Sequence, residues 1–562
     1  MSFEIVSSGF QHRQRTGTPL SQALKTGIVF GVLSLYLALV GVYLTFDKSW
    51  VVVNVLSMGR TLLFVVPLLA GVQFARLNRS QSRAVQLGGT LLVGLIVGGF
   101  TACLLPVILF GNLRVMFVAL SSPLAKMLAL GLTPVLGAAV LVAGSAAAAL
   151  FGALLTVMSP TVRRPITVGL AALAVVALLQ EVLQLILRGG GAAFSFITRG
   201  LFQYGGLTVR GAIIVFVAAA LVSIVVARLR APFKARFAEL PPGAARFLRQ
   251  AGIVILLAAI IFFPLIGGSF VAQVFLLVGL YALMGMGLNV EVGLAGLLDL
   301  GFVAYFAIGA YTIALLTADS PHALASMSFW AALPIAVLVS VAFGFLFGIP
   351  VLGIRGDYLA VATLGIGEIV RVLVLSDVAQ PLLGGAQGIL NIPSPAIGSF
   401  ELATPTSLYF LTVCCLALAT YFAFRVQDSR LGRTWMAMRD DEDVAQALGI
   451  NLVKTKLLAY SIGAAFAGVA GAIFAVMLKS IFPHSFQLLI SINILALIIV
   501  GGLGSLGGVI VGALVLIGLP ELLREFGEYR FLLYGAVIVA MMRLKPEGLW
   551  PARIRRRETA DA

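Results

Sequence analysis

Few side chains in this sequence are equipped for chemistry, and most of those lie in apolar surroundings. Asn289, Asp299, Glu368 and Arg371 fall within or beside long apolar runs. An ion-coupled transporter would need such groups as a relay near the membrane midplane. Glu368 and Arg371 are spaced i, i+3, so on a helix they can pair on one face. A structural ion pair between helices is the first reading of that spacing, and a place on a transport pathway is the second. Asn289 and Glu291 are assigned to the cytoplasmic end of a span, where exposure is cheap. Asp299 follows the flexible "GLAG" inside the next span. Catalytic constellations are lacking. Three histidines are scattered, and Cys103, Cys414 and Cys415 sit in apolar runs without metal-ligand spacing. No G-x-x-x-x-G-K-[ST] phosphate loop is present, so the chain cannot use ATP by the Walker mechanism. It is read as no enzyme, with no cofactor bound by the chain itself.

The densest polar feature is "MAMRDDEDVAQALGINLVKTKLLAY" (Met436–Tyr460), in which Arg439 precedes Asp440, Asp441, Glu442 and Asp443. Acids suit the positive end of a helix dipole, and Gly449 suits the left-handed position just past a helix end. The segment Asp441–Leu448 is therefore predicted to be a short helix, with Ala445 inside it. Val444, Ala447 and Leu448 fall on one of its faces. A capped helix with a single apolar stripe, held outside the membrane, can insert into a groove on a partner. The bland alternative is a solvated loop helix.

The elements that must hold these residues are membrane spans. Of 562 residues, 60% are apolar and only 11% charged, and mean hydropathy is +1.09. A soluble globular chain carries about a quarter charged residues. Alternation of period two is absent, which argues against a β-barrel. The predicted fold is an all-α polytopic membrane bundle of about 16 transmembrane helices. About six of them, near 27–46, 60–75, 85–110, 136–158, 166–187 and 210–228, form an N-terminal membrane extension over 1–226. A basic linker follows over 227–250, "ARLRAPFKARFAELPPGAARFLRQ", with Pro232, Pro241 and Pro242. About ten more spans form a core over 251–551, starting with 251–268, 271–290 and 294–317. The pieces 488–501 and 507–519, around "GGLGSLGG", can be two tilted spans or a re-entrant hairpin. A short tail over 552–562 carries "RIRRR". The net charge of +16 resides in short loops, a positive-inside pattern rather than a nucleic-acid footprint. That pattern puts both termini, the linker and the Met436–Tyr460 segment in the cytoplasm.

Several ordered segments carry a family resemblance. They are "MGMGLNVEVGLAGLLDLGFVAYFAIGAYTIALL" (Met284–Leu316), "GIRGDYLAVATLGIGEIVRVLVL" (Gly353–Leu375), "LLGGAQGI" (Leu382–Ile389), "SRLGRTWMAMRDDEDVAQALGINLVKTKLLAYSIGAAFAGVAGAIFA" (Ser429–Ala475) and "PELLREFGEYRFLLYGAVIVAMMRLKPEGLWP" (Pro520–Pro551). Together they resemble the branched-chain amino acid permeases of ABC importers, LivM type, over about 251–551. The wider importer pattern reads Glu-Ala-Ala with a glycine four residues on; here Asp443, Val444 and Ala445 precede Gly449 at that spacing. The resemblance implies a bacterial inner-membrane permease that couples to two cytoplasmic ABC ATPase subunits through residues 436–456. It implies a second, LivH-like permease beside it, an extracytoplasmic substrate-binding protein, and ATP with Mg used on the ATPase partners. Permeases for urea and short amides are similar. An ion-coupled secondary transporter is the rival of a different class. The resemblance does not extend over residues 1–240, for which an accessory role on the outside of the core is expected.

Overall fold

The computed structural model describes residues 18–552, apart from 80, 112–113, 115, 190–197, 199, 204, 239–241, 525–526 and 528. The basic tail, the polar N-terminal segment and Pro241 of the linker thus lie outside the described residues. The chain divides into two compact units, Met1–Leu256 and Leu257–Ala562. Among the described residues, twelve helices are long and apolar enough to cross a membrane, and two shorter apolar helices accompany them.

In the first unit the candidate spans are α1 (Pro19–Val40), α2 (Met58–Leu77), α3 (Arg83–Ala102, continuing apolar to Phe110), α4 (Pro134–Val157), α5 (Pro160–Leu178) and the apolar part of α6 (Val209–Ala238). The predicted 166–187 span stops at Leu178, and a separate helix, Gln180–Gly189, follows it. Helices associate in lipid by close packing rather than by expulsion of water, so small residues set the contacts. A Cβ on Gly71 would lie 2.1 Å from the Ala149 carbonyl oxygen, and one on Gly152 2.3 Å from that of Leu68. Both fix the α2–α4 crossing. Short strands at Trp50–Val52, Leu56–Ser57, Phe202–Gln203 and Gly206–Leu207 form one small sheet, with Val52 opposite Leu207. That sheet joins the loop after α1 to the loop before α6. Gln180 supports it by donating from Nε2 to the Gly205 carbonyl at 3.3 Å, while Glu181 beside it is exposed.

The second unit is built on α14 (Leu452–Leu478), most of which is buried between α8 (Val303–Thr317) and α9 (Phe329–Gly348). Its glycines make this possible. A Cβ on Gly471 would meet the Phe306 carbonyl oxygen at 2.1 Å, and one on Gly309 would meet that of Gly468 at 2.4 Å. Around this centre lie α7 (Pro242–Leu288), α10 (Asp357–Leu375), α11 (Pro405–Gln427), α12 (Arg430–Asp440), α13 (Glu442–Ala447), α15 (Leu488–Gly501), α16 (Leu506–Ala513) and α17 (Tyr529–Leu544).

The differences from sixteen predicted spans have local causes. The predicted 251–268 piece falls within α7 and the 271–290 piece runs along it into the π turn that follows; α7 turns at Gly268 with φ 79°. The predicted 294–317 span is helical only over Val303–Thr317. Before it, a π-helical turn over Asn289–Leu294 gives way to irregular backbone from Ala295 to Phe302. The 488–519 region is two helices joined at Gly502–Ser505, and the second continues through a π turn to Leu522.

Candidate functional site

The Met436–Tyr460 segment forms the predicted short helix, built as its residues dictate. Asp441 is the N-cap, its carboxylate accepting from the Asp443 and Val444 N–H groups at 2.9 and 3.0 Å. Gly449 ends the turn with φ +87°, a conformation that costs glycine little. The segment is anchored from inside. Trp435 of α12 is fully buried and donates from Nε1 to the Thr455 carbonyl at 2.9 Å. Ala445 is also buried.

Two cations fix the acids. Buried Lys456, on α14, contacts Glu442 at 2.9 Å. Arg355, from the loop before α10, reaches Glu442 at 3.1 Å and Asp443 at 2.9 Å. The Asp443 carboxylate, then Glu442, holds the Arg355 guanidinium above its ordinary range. The acidic run therefore does not face outward as a uniform patch. Asp440 has only a 3.6 Å contact with Arg439. Beside the exposed Asp440, Asp441 and Asp443, an apolar stripe also faces outward: Val444 is 54% exposed and Leu448 77%, with Ala447 exposed beside them. Sequence reasoning found the stripe but missed Trp435, Arg355 and Lys456 as its support, because their partners lie on other elements.

Arg439 points inward. Its Nη1 donates to the Gly293 carbonyl at 2.6 Å, and its stem lies against Gly296, where φ is +75° and a Cβ would meet Arg439 Cγ at 2.6 Å. Arg439 thus ties the Met436–Tyr460 segment to the broken stretch between α7 and α8. The free backbone groups of that stretch are met by side chains, as a membrane interior demands. Asp299 accepts from the Gly301 N–H at 2.7 Å, Thr363 of α10 from the Leu300 N–H at 3.0 Å, and Ser491 of α15 from the Val303 N–H at 3.0 Å. Asn289 accepts from the Gly504 N–H at 2.8 Å.

The placement of Asn289 and Glu291 at an exposed span end is corrected here. Both are fully buried, as is Asp299 to within 1%. The π turn rotates them into the bundle, against Gly463 of α14, where an added Cβ would collide with the Glu291 carboxylate. Both Glu291 oxygens and Asp299 Oδ2 have no hydrogen-bond partner among the described residues.

Glu368 and Arg371 do pair, but within α10 rather than between helices: Arg371 Nε donates to Glu368 Oε1 at 2.8 Å. Their side chains are 46% and 32% exposed. They border a shallow cleft between α10, α8 and the Pro483–Phe486 turn. None of the site residues belongs to a cluster of His, Cys, Asp and Glu able to hold a metal among the described residues.

The arrangement is a capped helix with an exposed apolar stripe, tied through Arg439 to the broken stretch between α7 and α8. Comparison with known proteins gives the family. The family described as branched-chain amino acid transport system / permease component matches residues 270–542. The high-affinity branched-chain amino acid transport system permease protein LivM of Salmonella typhimurium is 41% identical over 295 residues, 48% of this chain and 68% of the relative. Its Escherichia coli counterpart is 38% identical over 322 residues, 53% of this chain and 74% of the relative. The LivH permease of Salmonella typhimurium is 25% identical over 284 residues, 48% of this chain and 90% of the relative. No solved structure matches the chain. The chain belongs to the branched-chain amino acid transport permeases of the LivM type, and it is the permease component of a branched-chain amino acid ABC transport system.

Proposed function

We propose that α13 is the lever of this permease. ATPase subunits grip the stripe of Val444, Ala447 and Leu448, and their closure moves the bundle between outward-open and inward-open states. The observation that carries this reading is the pairing of an exposed apolar stripe with a rigid mount. The stripe offers binding area, while Lys456 and Trp435 transmit its displacement to α14. Arg439 passes it to the broken stretch at Gly293. Free energy enters from ATP and Mg on the partner subunits.

The same reading assigns a LivH-like permease as the second half of the pathway, two cytoplasmic ATPases, and an extracytoplasmic binding protein that delivers substrate. It sets the chain in the bacterial inner membrane with both termini in the cytoplasm. Counting the broken and short helices as crossings gives about 16 spans. The exposed ion pair on α10 marks the face toward the pathway, since bare charge against lipid is costly. Residues 1–226 act as an accessory membrane unit, 227–250 as a linker and 251–551 as the permease core.

Purification through a tag on this chain tests the lever. The wild type is expected to bring a second permease and two ATPases, and the combined Val444→Asp, Ala447→Asp and Leu448→Asp variant to lose the ATPases alone. Full retention of the ATPases by the variant contradicts the proposal.

A further inference from the structure

Among the described residues, Glu291 and Asp299 are the buried acids. They stand at either side of the broken stretch. Glu291 lies in the π turn that follows α7, and Asp299 at the corner where its carboxylate accepts from the Gly301 N–H. The two carboxyls lie within hydrogen-bond reach of each other. Yet both Glu291 oxygens and Asp299 Oδ2 are without a partner among the described residues. An ionised carboxylate only accepts, so two of them cannot bond to each other.

The surrounding elements do not supply the missing donor. From α14, Lys456 is engaged with Glu442 of α13 at 2.9 Å. Tyr460 of α14 is fully buried within electrostatic reach of both acids, and its hydroxyl is unpartnered too. Tyr305 of α8 is buried in the same reach. Arg439 of α12 is turned to the Gly293 carbonyl. Thr363 of α10, beside Asp299, and Ser491 of α15 are neutral. Two anions side by side in such a place repel each other and forfeit their hydration. One proton answers both costs, because it neutralises one carboxyl and makes it a donor to the other.

We propose that Glu291 and Asp299 form a proton site, one proton shared between two carboxyls, which latches the π turn to the Gly301 corner. A coordinated metal ion fits less well, since no third His, Cys, Asp or Glu joins the pair among the described residues. The latch is pH-sensitive. In the unfolded chain both carboxyls are ionised above about pH 5, whereas the folded pair keeps one proton. The folded state then binds one proton more, so its stability falls as pH rises, until the pair itself lets go. The site stands whether or not α13 is the lever.

The test compares the full-length chain with Glu291→Gln in maltoside detergent. Glutamine keeps the size of the side chain and donates to Asp299 without a titrating proton. Infrared spectra at neutral pH are expected to show a protonated-carboxyl carbonyl band that shifts in deuterium oxide and is missing from the variant. The unfolding equilibrium constant, from denaturant titration between about pH 5 and 9, is expected to rise in the wild type relative to the variant by about tenfold per pH unit, the slope for one proton. The wild-type infrared band alone keeps the test open if the variant fails to fold: its absence at neutral pH overturns the site. Parallel pH curves, or a band that survives in the variant, overturn it as well. A wild type without the band, and stabilised by added Na⁺ or Ca²⁺, gives the place to a cation instead.

Discussion

Replacing Arg439 by methionine should separate ATP hydrolysis from transport. The guanidinium joins the Met436–Tyr460 segment to the broken stretch through one bond, Nη1 to the Gly293 carbonyl at 2.6 Å. A hydrogen bond from a charged group contributes about 1.5–3 kcal/mol. The side chain is 35% exposed, which favours the lower end, about 1.5 kcal/mol, or roughly tenfold in an equilibrium constant. The second contact, 3.6 Å to Asp440, is a surface pair and adds about 0–1 kcal/mol at most. Methionine keeps the stem that lies against Gly296 and removes only the donor. In proteoliposomes holding the full transporter, leucine moved per ATP hydrolysed is expected to fall about tenfold. The ATPases should still co-purify, because Val444 and Leu448 are untouched. An unchanged ratio refutes the tether. Loss of the ATPases instead would make Arg439 part of the docking surface.

Other predictions concern the mount and the bundle. Gly471→Ala drives a methyl into the Phe306 carbonyl, 2.1 Å away, and should destabilise the α8–α14 crossing by about 1–3 kcal/mol or more, read as a fall in melting temperature in detergent. Trp435→Ala empties a fully buried site and should cost about 3–5 kcal/mol locally, so limited proteolysis should cut within 430–450. Glu291→Gln replaces an ionisable carboxyl by an amide of the same size at a fully buried position where both carboxyl oxygens lack a hydrogen-bond partner among the described residues, and should raise the melting temperature, by an amount equivalent to about 1–3 kcal/mol; a fall contradicts the view that this carboxyl is a stability cost. A chain lacking residues 1–226 should assemble with its partners and still import leucine. Normal assembly with no import would remove the accessory assignment.

Much of this architecture was legible because single residues carry it. Asp441 and Gly449 announce a helix start and stop, and both perform those roles. The i, i+3 spacing of Glu368 and Arg371 announced their pairing. Hydropathy located the six spans of the first unit to within a few residues at most ends, since lipid demands long apolar runs. It failed over Asn289–Phe302. A window average cannot register a π turn and eight irregular residues whose backbone is satisfied by Thr363 and Ser491 from distant helices. The same rotation hid the burial of Glu291, because helical periodicity assumes a constant 100° step. Arg355 and Lys456 were invisible as partners of Glu442 for a related reason: pairing between elements depends on tertiary placement, which loop composition does not encode.

The central claim is that this chain supplies a lever and a pathway while its energy comes from elsewhere. Uptake of radiolabelled leucine tests it, in proteoliposomes containing this chain, its partner permease and the two ATPases, with binding protein on the substrate side. The account predicts uptake that requires ATP on the opposite side, ignores imposed H⁺ or Na⁺ gradients, and is lost in the Val444→Asp, Leu448→Asp variant. Uptake driven by an ion gradient without ATP, and undiminished in that variant, would contradict it.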